Sequence, residues 1–322
     1  MQKHIPVLLR EVLDIFAPVC VANANNNPVI IDCTLGLGGH TLEFLREFPS
    51  LEIIAIDKDT QAIDIATAYA KEAGLSQKLH TINAPFSLGI ERAFGLAKSL
   101  DRRIVGVLAD IGVSSMQLDS SERGFGFGSH ALDMRMDLAQ SKDAKYVINT
   151  YSEFELGRVL REYGEIKEYK KLAKSIKARI KSSGDFESAR EFSEFLRSHS
   201  NHKGGKIHPA TLAFQAVRME VNNELDELKN ALFVLENQSN AMRGARVGII
   251  SFHSLEDRIV KETFRQWARP CVCEASVMKC VCGGDNAKGE ILTKKPLIAS
   301  EKEINSNPRS RSAKLRAFAF RQ

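Results

Sequence analysis

The chain has 322 residues, 43% hydrophobic and 26% charged, with a formal net charge of +5. That is the composition of an ordinary soluble globular protein, long enough for one large domain or for a domain carrying a smaller one. A run of about 18 apolar residues, the minimum for a membrane-spanning helix, does not occur. The first residues, Met1–Val7, lack a signal peptide's charged head and apolar middle, so the reading is a cytoplasmic protein with no membrane partner. In such a compartment six cysteines are better read as buried thiols or metal ligands than as disulfides.

In chain order, β-branched runs ending in small or acidic residues recur at Val29–Asp32, Glu52–Asp57, Lys78–Ile82, Ile104–Asp110 and Val247–Ser251. Apolar runs without alternation indicate strands covered on both faces, and helical stretches between them make βαβ units. The fold class is therefore α/β, a doubly wound and mostly parallel sheet. Some 130 residues separate the strand ending at Asp110 from the one near Ala245, too many for a single crossover. This stretch is helical. Ser152 and Glu155 form a capping box ahead of a stripe of Leu156, Val159, Leu160 and Tyr163, with Gly164 as the stop. A second helix is expected over Ile166–Ile180 and a third over Ser188–Arg197. Lys203–Lys206 reads as a linker. From Pro209 one long helix, with Phe214, Val217, Val221, Leu225, Leu228, Leu232 and Leu235 inward, should return the chain to the sheet. The expected division is a discontinuous domain, 1–140 with 208–322, interrupted by a helical insertion at 141–207.

Charge is unevenly placed. Residues 140–206 hold 15 Lys/Arg against 10 Asp/Glu, residues 288–322 hold nine against three, and the remainder is net −6. Two basic regions suit a polyanionic partner, although solvated surfaces explain them equally well.

The first strand runs into Asp32–His40, whose Gly36, Gly38 and Gly39 let a ligand approach the backbone at the carboxyl edge of the sheet. Asp57, 21 residues beyond Gly36 and at the end of the second strand, is placed to accept from ribose hydroxyls. A nicotinamide-binding turn would need Gly or Ala where Thr41 stands, which makes a dehydrogenase the weaker reading of a nucleoside site.

Motifs along nearly the whole chain resemble the ribosomal small-subunit methyltransferase H (MraW) family. They are His4–Leu9, Asp32–His40, Leu108–Asp119, Glu122–Phe125, Leu132–Asp137, His208–Thr211, Ser251–Arg258 and Asn307–Ser312. The resemblance implies a class I, Rossmann-like methyltransferase that uses S-adenosylmethionine and methylates the N4 amine of a cytidine in 16S rRNA, at the P site of the decoding centre. It also implies a helical insertion that helps to bind the small-subunit substrate. Carried over, the family's cofactor contacts fall on Gly38, Gly39, His40, Asp57, Phe86, Asp110 and Gln117. Gly38 and Gly39 would admit the amino-acid end, Asp57 the ribose and Phe86 the adenine. Two rival readings remain: a non-catalytic assembly factor that binds cofactor and RNA, and an amino-methyltransferase for another nucleic acid or a protein.

A cytosine amine is a poor nucleophile because its lone pair is conjugated with the ring, so catalysis requires alignment and an acceptor for the N–H. The Asp-Pro-Pro-aromatic signature of many amino-methyltransferases is replaced by Asp110–Val113. Asp110 is the first candidate acceptor. His253, at the end of the fifth strand, is the second, with a helix-capping role as its alternative.

Gly124–Gly128, flanked by Arg123 and Arg135, reads either as a lid with stacking aromatics or as a glycine-rich surface loop. Lys167, Lys170, Lys171, Lys174 and Lys181 share one helix face, and with Arg309, Arg311, Lys314 and Arg316 of the tail they suit RNA phosphates or water. Cys271, Cys273, Cys280 and Cys282 form a C-x-C-x6-C-x-C array that suits a structural zinc with no open ligand position. Cys20 and Cys33 read as core thiols.

Overall fold

The computed structural model describes residues 6–199, 209–274 and 279–322. His4, Ile5, His208, the Lys203–Lys206 linker and the expected boundary at 207 and 208 lie outside the described residues. The chain forms two compact units, residues 1–112 with 226–322, and residues 113–225.

The first unit is an eight-stranded sheet of β1 (Pro28–Asp32), β2 (Glu52–Asp57), β3 (Leu79–Asn83), β4 (Arg103–Asp110), β5 (Arg246–Ser251), β6 (Gly289–Ile291), β7 (Leu297–Ile298) and β8 (Lys314–Phe320). The spatial order is β3-β2-β1-β4-β5-β8-β6, with β7 on β8. β1 to β5 are parallel, whereas β8 runs antiparallel between β5 and β6. Four helices precede the second unit: α1 (Leu9–Ala22), α2 (Gly39–Glu47), α3 (Thr60–Glu72) and α4 (Phe86–Ser99). Alternate strand residues face opposite ways, and both faces are apolar. Ile31, Ile54, Val107 and Ile249 pack with Ile90 and Phe94 of α4. Ile30, Ile53, Leu108 and Ile250 pack with Phe16 of α1, Phe44 of α2 and Ala66 of α3. Phe16 explains two strand glycines, because a Cβ on Gly106 or Gly248 would stand 2.6 or 3.0 Å from its ring.

The second unit holds α5 (Ser115–Asp119), α6 (Ala144–Thr150), α7 (Glu153–Glu162), α8 (Tyr169–Ser183), α9 (Ala189–His199) and α10 (Pro209–Asn222). The expected 141–207 insertion lies within it. The unit reaches further on both sides because Phe125, Leu132, Met134 and Met136 before that segment, and Phe214, Val217 and Val221 after it, share its core. The Ser152–Glu155 capping box forms as the spacing predicts. α8 starts at Tyr169 rather than Ile166, since Glu165 takes a left-handed conformation (φ 49°) after Gly164.

The single long helix from Pro209 is instead two, α10 and α11 (Glu224–Asn237). Asn223 has φ 52°, a conformation Asn tolerates better than most residues, and it breaks the hydrogen-bond ladder while the apolar spacing carries on. In the first unit, α11 places Leu228, Leu232 and Leu235 in the same core as α12 (Ser254–Trp267). A short α13 (Glu301–Ser306) precedes β8. Among the described residues no helix is long and apolar enough to cross a membrane.

The basic tail is not a free tail. Arg316 lies buried within β8 and chelates Asp257 of α12 at 2.6 and 3.2 Å, and Lys314 stands 3.5 Å from the same carboxylate. Gly124–Gly128 is not an aromatic lid either. Phe125 is buried, Phe127 stacks edge-on against Phe214 at 4.7 Å, and Arg123 is buried with its guanidinium donating to the carbonyls of Arg135 and Met136.

Candidate cofactor site at the strand ends

Strand order reverses between β1 and β4: the chain moves outward from β1 through β2 to β3, then crosses back to β4 and β5. A crevice opens at the carboxyl ends of adjacent strands at such a point. Asp32, Asp57 and Asp110 are the last residues of β1, β2 and β4, so all three carboxylates stand along this edge.

The turn after β1 is fixed by side chains at its base. Asp32 is buried and accepts from the Thr41 hydroxyl at 2.6 Å and the Thr34 N–H at 3.1 Å. The Thr34 hydroxyl in turn accepts from the Asp110 N–H at 2.6 Å, tying the loop to the end of β4. Asp57 accepts from the N–H groups of Gly36 (2.8 Å) and Asp59 (2.9 Å). These bonds use two of about four acceptor positions on a carboxylate, so Asp57 retains capacity for hydroxyl donors while acting as a strut for the turn.

Gly38 caps α2 at φ 79°, which favours glycine. A Cβ on Gly39 would stand 2.7 Å from the Pro6 ring, so this glycine makes room for the chain's own N-terminal segment. His40 is buried with Nε2 3.0 Å from the Val7 carbonyl and Nδ1 3.9 Å from Asp110 Oδ2.

Asp110 is the exceptional group. Its side chain keeps a quarter of its exposure, yet Oδ1 is enclosed and meets no donor among the described residues. Burial, then the charges of Asp32 and Glu256, push its carboxyl up to about 7. Asp32 is pushed up to about 6, by burial first, against the pull of its Thr41 and Thr34 hydrogen bonds. Asp57 is also raised by burial, opposed by the N–H groups of Asp59 and Gly36. A crevice edged by three strained carboxylates suits a cationic ligand and repels a pyrophosphate. The edge therefore argues against the dinucleotide reading and fits S-adenosylmethionine, which carries a sulfonium and an ammonium.

The other expected residues fall as follows. Phe86 opens α4, half-buried, and lines a small apolar hollow with Cys33, Ala109 and Ile111. In the second unit, Gln117 is buried in a capping box with Ser114, its Oε1 accepting from the Ser114 N–H at 3.1 Å. His253 is the N-cap of α12, where Nδ1 accepts from the Glu256 N–H at 3.4 Å and Nε2 lies 2.9 Å from Glu256 Oε1. Glu256 also accepts from the Phe252 N–H at 2.9 Å. His253 is thus held against its own helix, and capping accounts for it. Asp32, Thr34, Thr41 and Glu256 went unassigned in the sequence, where only the Asp-x-Thr spacing hinted at a turn fixed by its side chains.

The model of the MraW methylase family matches residues 1–321. The chain belongs to this family. A protein named ribosomal RNA small subunit methyltransferase H, from Helicobacter pylori strain P12, is 48% identical over 318 residues, which are 99% of this chain and 97% of the relative. The protein of that name from Sulfurimonas denitrificans is 48% identical over 320 residues, 99% and 98% of the two chains. This methylase is an S-adenosylmethionine-dependent methyltransferase on a Rossmann-like α/β fold.

Proposed function

We propose that the methylase transfers a methyl group to the N4 amine of a cytidine in 16S rRNA, at the P site of the decoding centre, acting on the small ribosomal subunit in the cytoplasm. The names of its relatives support the RNA substrate, and the family resemblance supports the cytidine amine. The observation that carries the chemistry is the enclosed, donorless Oδ1 of Asp110 at the switch point of the sheet.

S-adenosylmethionine, when bound, supplies a methyl group on a positively charged sulfur. In this reading Gly38, Gly39 and His40 take its amino-acid end, Asp57 its ribose and Phe86 its adenine, with Asp110 completing the contacts of the first unit. The cytosine amine becomes a nucleophile only as its nitrogen pyramidalises and an N–H proton is drawn away. Asp110 accepts that hydrogen. Its carboxyl, raised to about 7, is a stronger base than an ordinary aspartate yet largely ionised just above neutrality. Asp32 acts through Asp110: its charge and the Thr34 bridge hold the acceptor's basicity and place. The helical insertion at 141–207 takes the RNA, and Lys167, Lys170, Lys171, Lys174 and Lys181, all exposed, meet its phosphates.

Small subunits lacking the modification, incubated with methyl-labelled cofactor and then digested to nucleosides, should yield label in N4-methylcytidine at one site. Label on a ring carbon, on another nucleoside or on protein would overturn the assignment.

A further inference from the structure

Among its described residues, the connection from α12 to β6 has no core of its own. None of their hydrophobic side chains between Trp267 and Gly289 is buried, and Val272 and Val281 are 61% and 81% exposed. Its ends are nevertheless tied together. The Lys288 N–H donates to the Trp267 carbonyl at 2.7 Å, the Asn286 N–H to the Pro270 carbonyl at 2.9 Å, and the Asn286 side chain to the Cys282 carbonyl at 3.1 Å. Four cysteine sulfurs gather in the same connection.

Cys271, Cys273, Cys280 and Cys282 are all free, and their Sγ atoms lie within 4.8 Å of one another. Three of the separations are 3.6 Å (Cys271 to Cys280), 3.5 Å (Cys280 to Cys282) and 3.7 Å (Cys282 to Cys271), a nearly equilateral triangle. Four thiolates about 2.3 Å from a tetrahedral zinc stand about 3.8 Å apart, so this triangle has the size of one face of such a site. A disulfide needs sulfurs about 2.05 Å apart. A multinuclear iron–sulfur cluster spreads its cysteines over several irons, farther apart than this.

A second observation points the same way. The Val272 N–H donates to Cys282 Sγ and the Val281 N–H to Cys273 Sγ, each at 3.4 Å. The valine inside each C-x-C pair thus gives its amide to a sulfur of the opposite pair. Four crowded thiolates repel one another, and reciprocal N–H donors together with a divalent cation compensate that charge.

We propose that these four cysteines bind one Zn2+ in a closed tetrathiolate site that staples α12 to the outer strand β6. The bonds formed are four Zn–S bonds, and the four thiol protons pass to solvent. No ligand position is left for water or substrate, so the role is structural and independent of methyl transfer.

Protein prepared without chelator from zinc-replete cells should contain about one zinc per chain by elemental analysis. Anaerobic exchange with cobalt(II) should give the intense visible bands of a tetrahedral tetrathiolate. The pair Cys271→Ser and Cys282→Ser should lose both signals and expose the α12–β6 connection to protease, while cofactor binding persists. Should that pair fail to fold, Cys280→Ser alone should retain metal but yield it to a competing chelator far sooner than wild type. Wild-type protein that takes up no stoichiometric zinc even on reconstitution, that holds iron instead, or whose zinc is indifferent to these substitutions would overturn the proposal.

Discussion

Two enclosed carboxylates, one in each unit, move in opposite directions. Glu220 in the helical unit accepts from the Tyr151 hydroxyl at 2.7 Å and from Arg158 at 3.0 Å, with Lys142 at 3.4 Å. Although burial resists it, these partners hold its carboxyl below the usual range. Asp110 has only the distant His40 ring near Oδ2 and no donor to Oδ1 among the described residues, and burial with the Asp32 and Glu256 charges raises its carboxyl to about 7. Burial is common to both, so the partners decide the sign. A paired carboxylate locks its neighbourhood; an orphaned one is poised to take a proton.

The comparison predicts opposite responses to the same change of Asp or Glu to its amide. Asp110→Asn keeps one carbonyl acceptor but removes the charge and the basic oxygen, and should slow single-turnover transfer at saturating cofactor by ~10²-fold or more. It should not loosen the fold. A folded carboxyl titrating above its unfolded value contributes stability at low pH that is lost as pH rises through about 7. At neutral pH the neutral amide relieves that strain, so the variant should melt no lower than wild type. A lower Tm would contradict this.

Glu220→Gln should do the reverse, leaving Arg158 with only its longer pairing to Glu162 among the described residues and lowering stability by about 2 kcal/mol while cofactor affinity holds. Denaturant unfolding of the two amide variants side by side checks the contrast. The lowered carboxyl also gives Glu220 a stability contribution that is present at neutral pH and lost as pH falls through its folded value.

Asp57 stands between these cases, since it supports the Gly36 turn and keeps acceptor capacity for a ligand. Asp57→Ala should weaken cofactor binding by ten- to a hundredfold, or about 1.5–3 kcal/mol, by titration calorimetry. Unchanged affinity in a folded variant would remove the ribose assignment. The smallest effect is expected on α8, where Lys171 and Lys174 are exposed, as is Lys167 just before the helix. Reversing these three charges should weaken RNA binding and flatten its salt dependence without touching cofactor affinity. An unaltered salt slope would make the face a solvated one.

The parallel sheet was legible because buried strands leave uninterrupted apolar runs, and all five fall within a residue or two of their expected bounds. β8 escaped because Lys314 and Arg316 interrupt its apolar pattern, and only the Asp257 carboxylate makes a buried Arg316 tolerable. The break at Asn223 escaped because apolar spacing survives a one-residue left-handed turn. At the site, the glycines and Asp57 announced themselves by position after strands. Asp32, Thr34 and Thr41 did not, because hydrogen bonds that fix a loop depend on which strand ends become neighbours. The basicity that Asp32 and Glu256 impose on Asp110 likewise arises only when residues 32, 110 and 256 come together in the fold.

The central claim is that Asp110, made basic by burial and like charge, accepts the proton of the nucleophile. Single-turnover transfer measured across pH, with cofactor and substrate saturating, tests it most directly. The wild-type rate should rise with pH and level off beyond an inflection at about 7 or somewhat below, since a bound cation pulls the carboxyl down. The Asp110→Asn rate should be low and flat across the same range. A wild-type rate independent of pH there, or an inflection that persists in Asp110→Asn, would contradict the account.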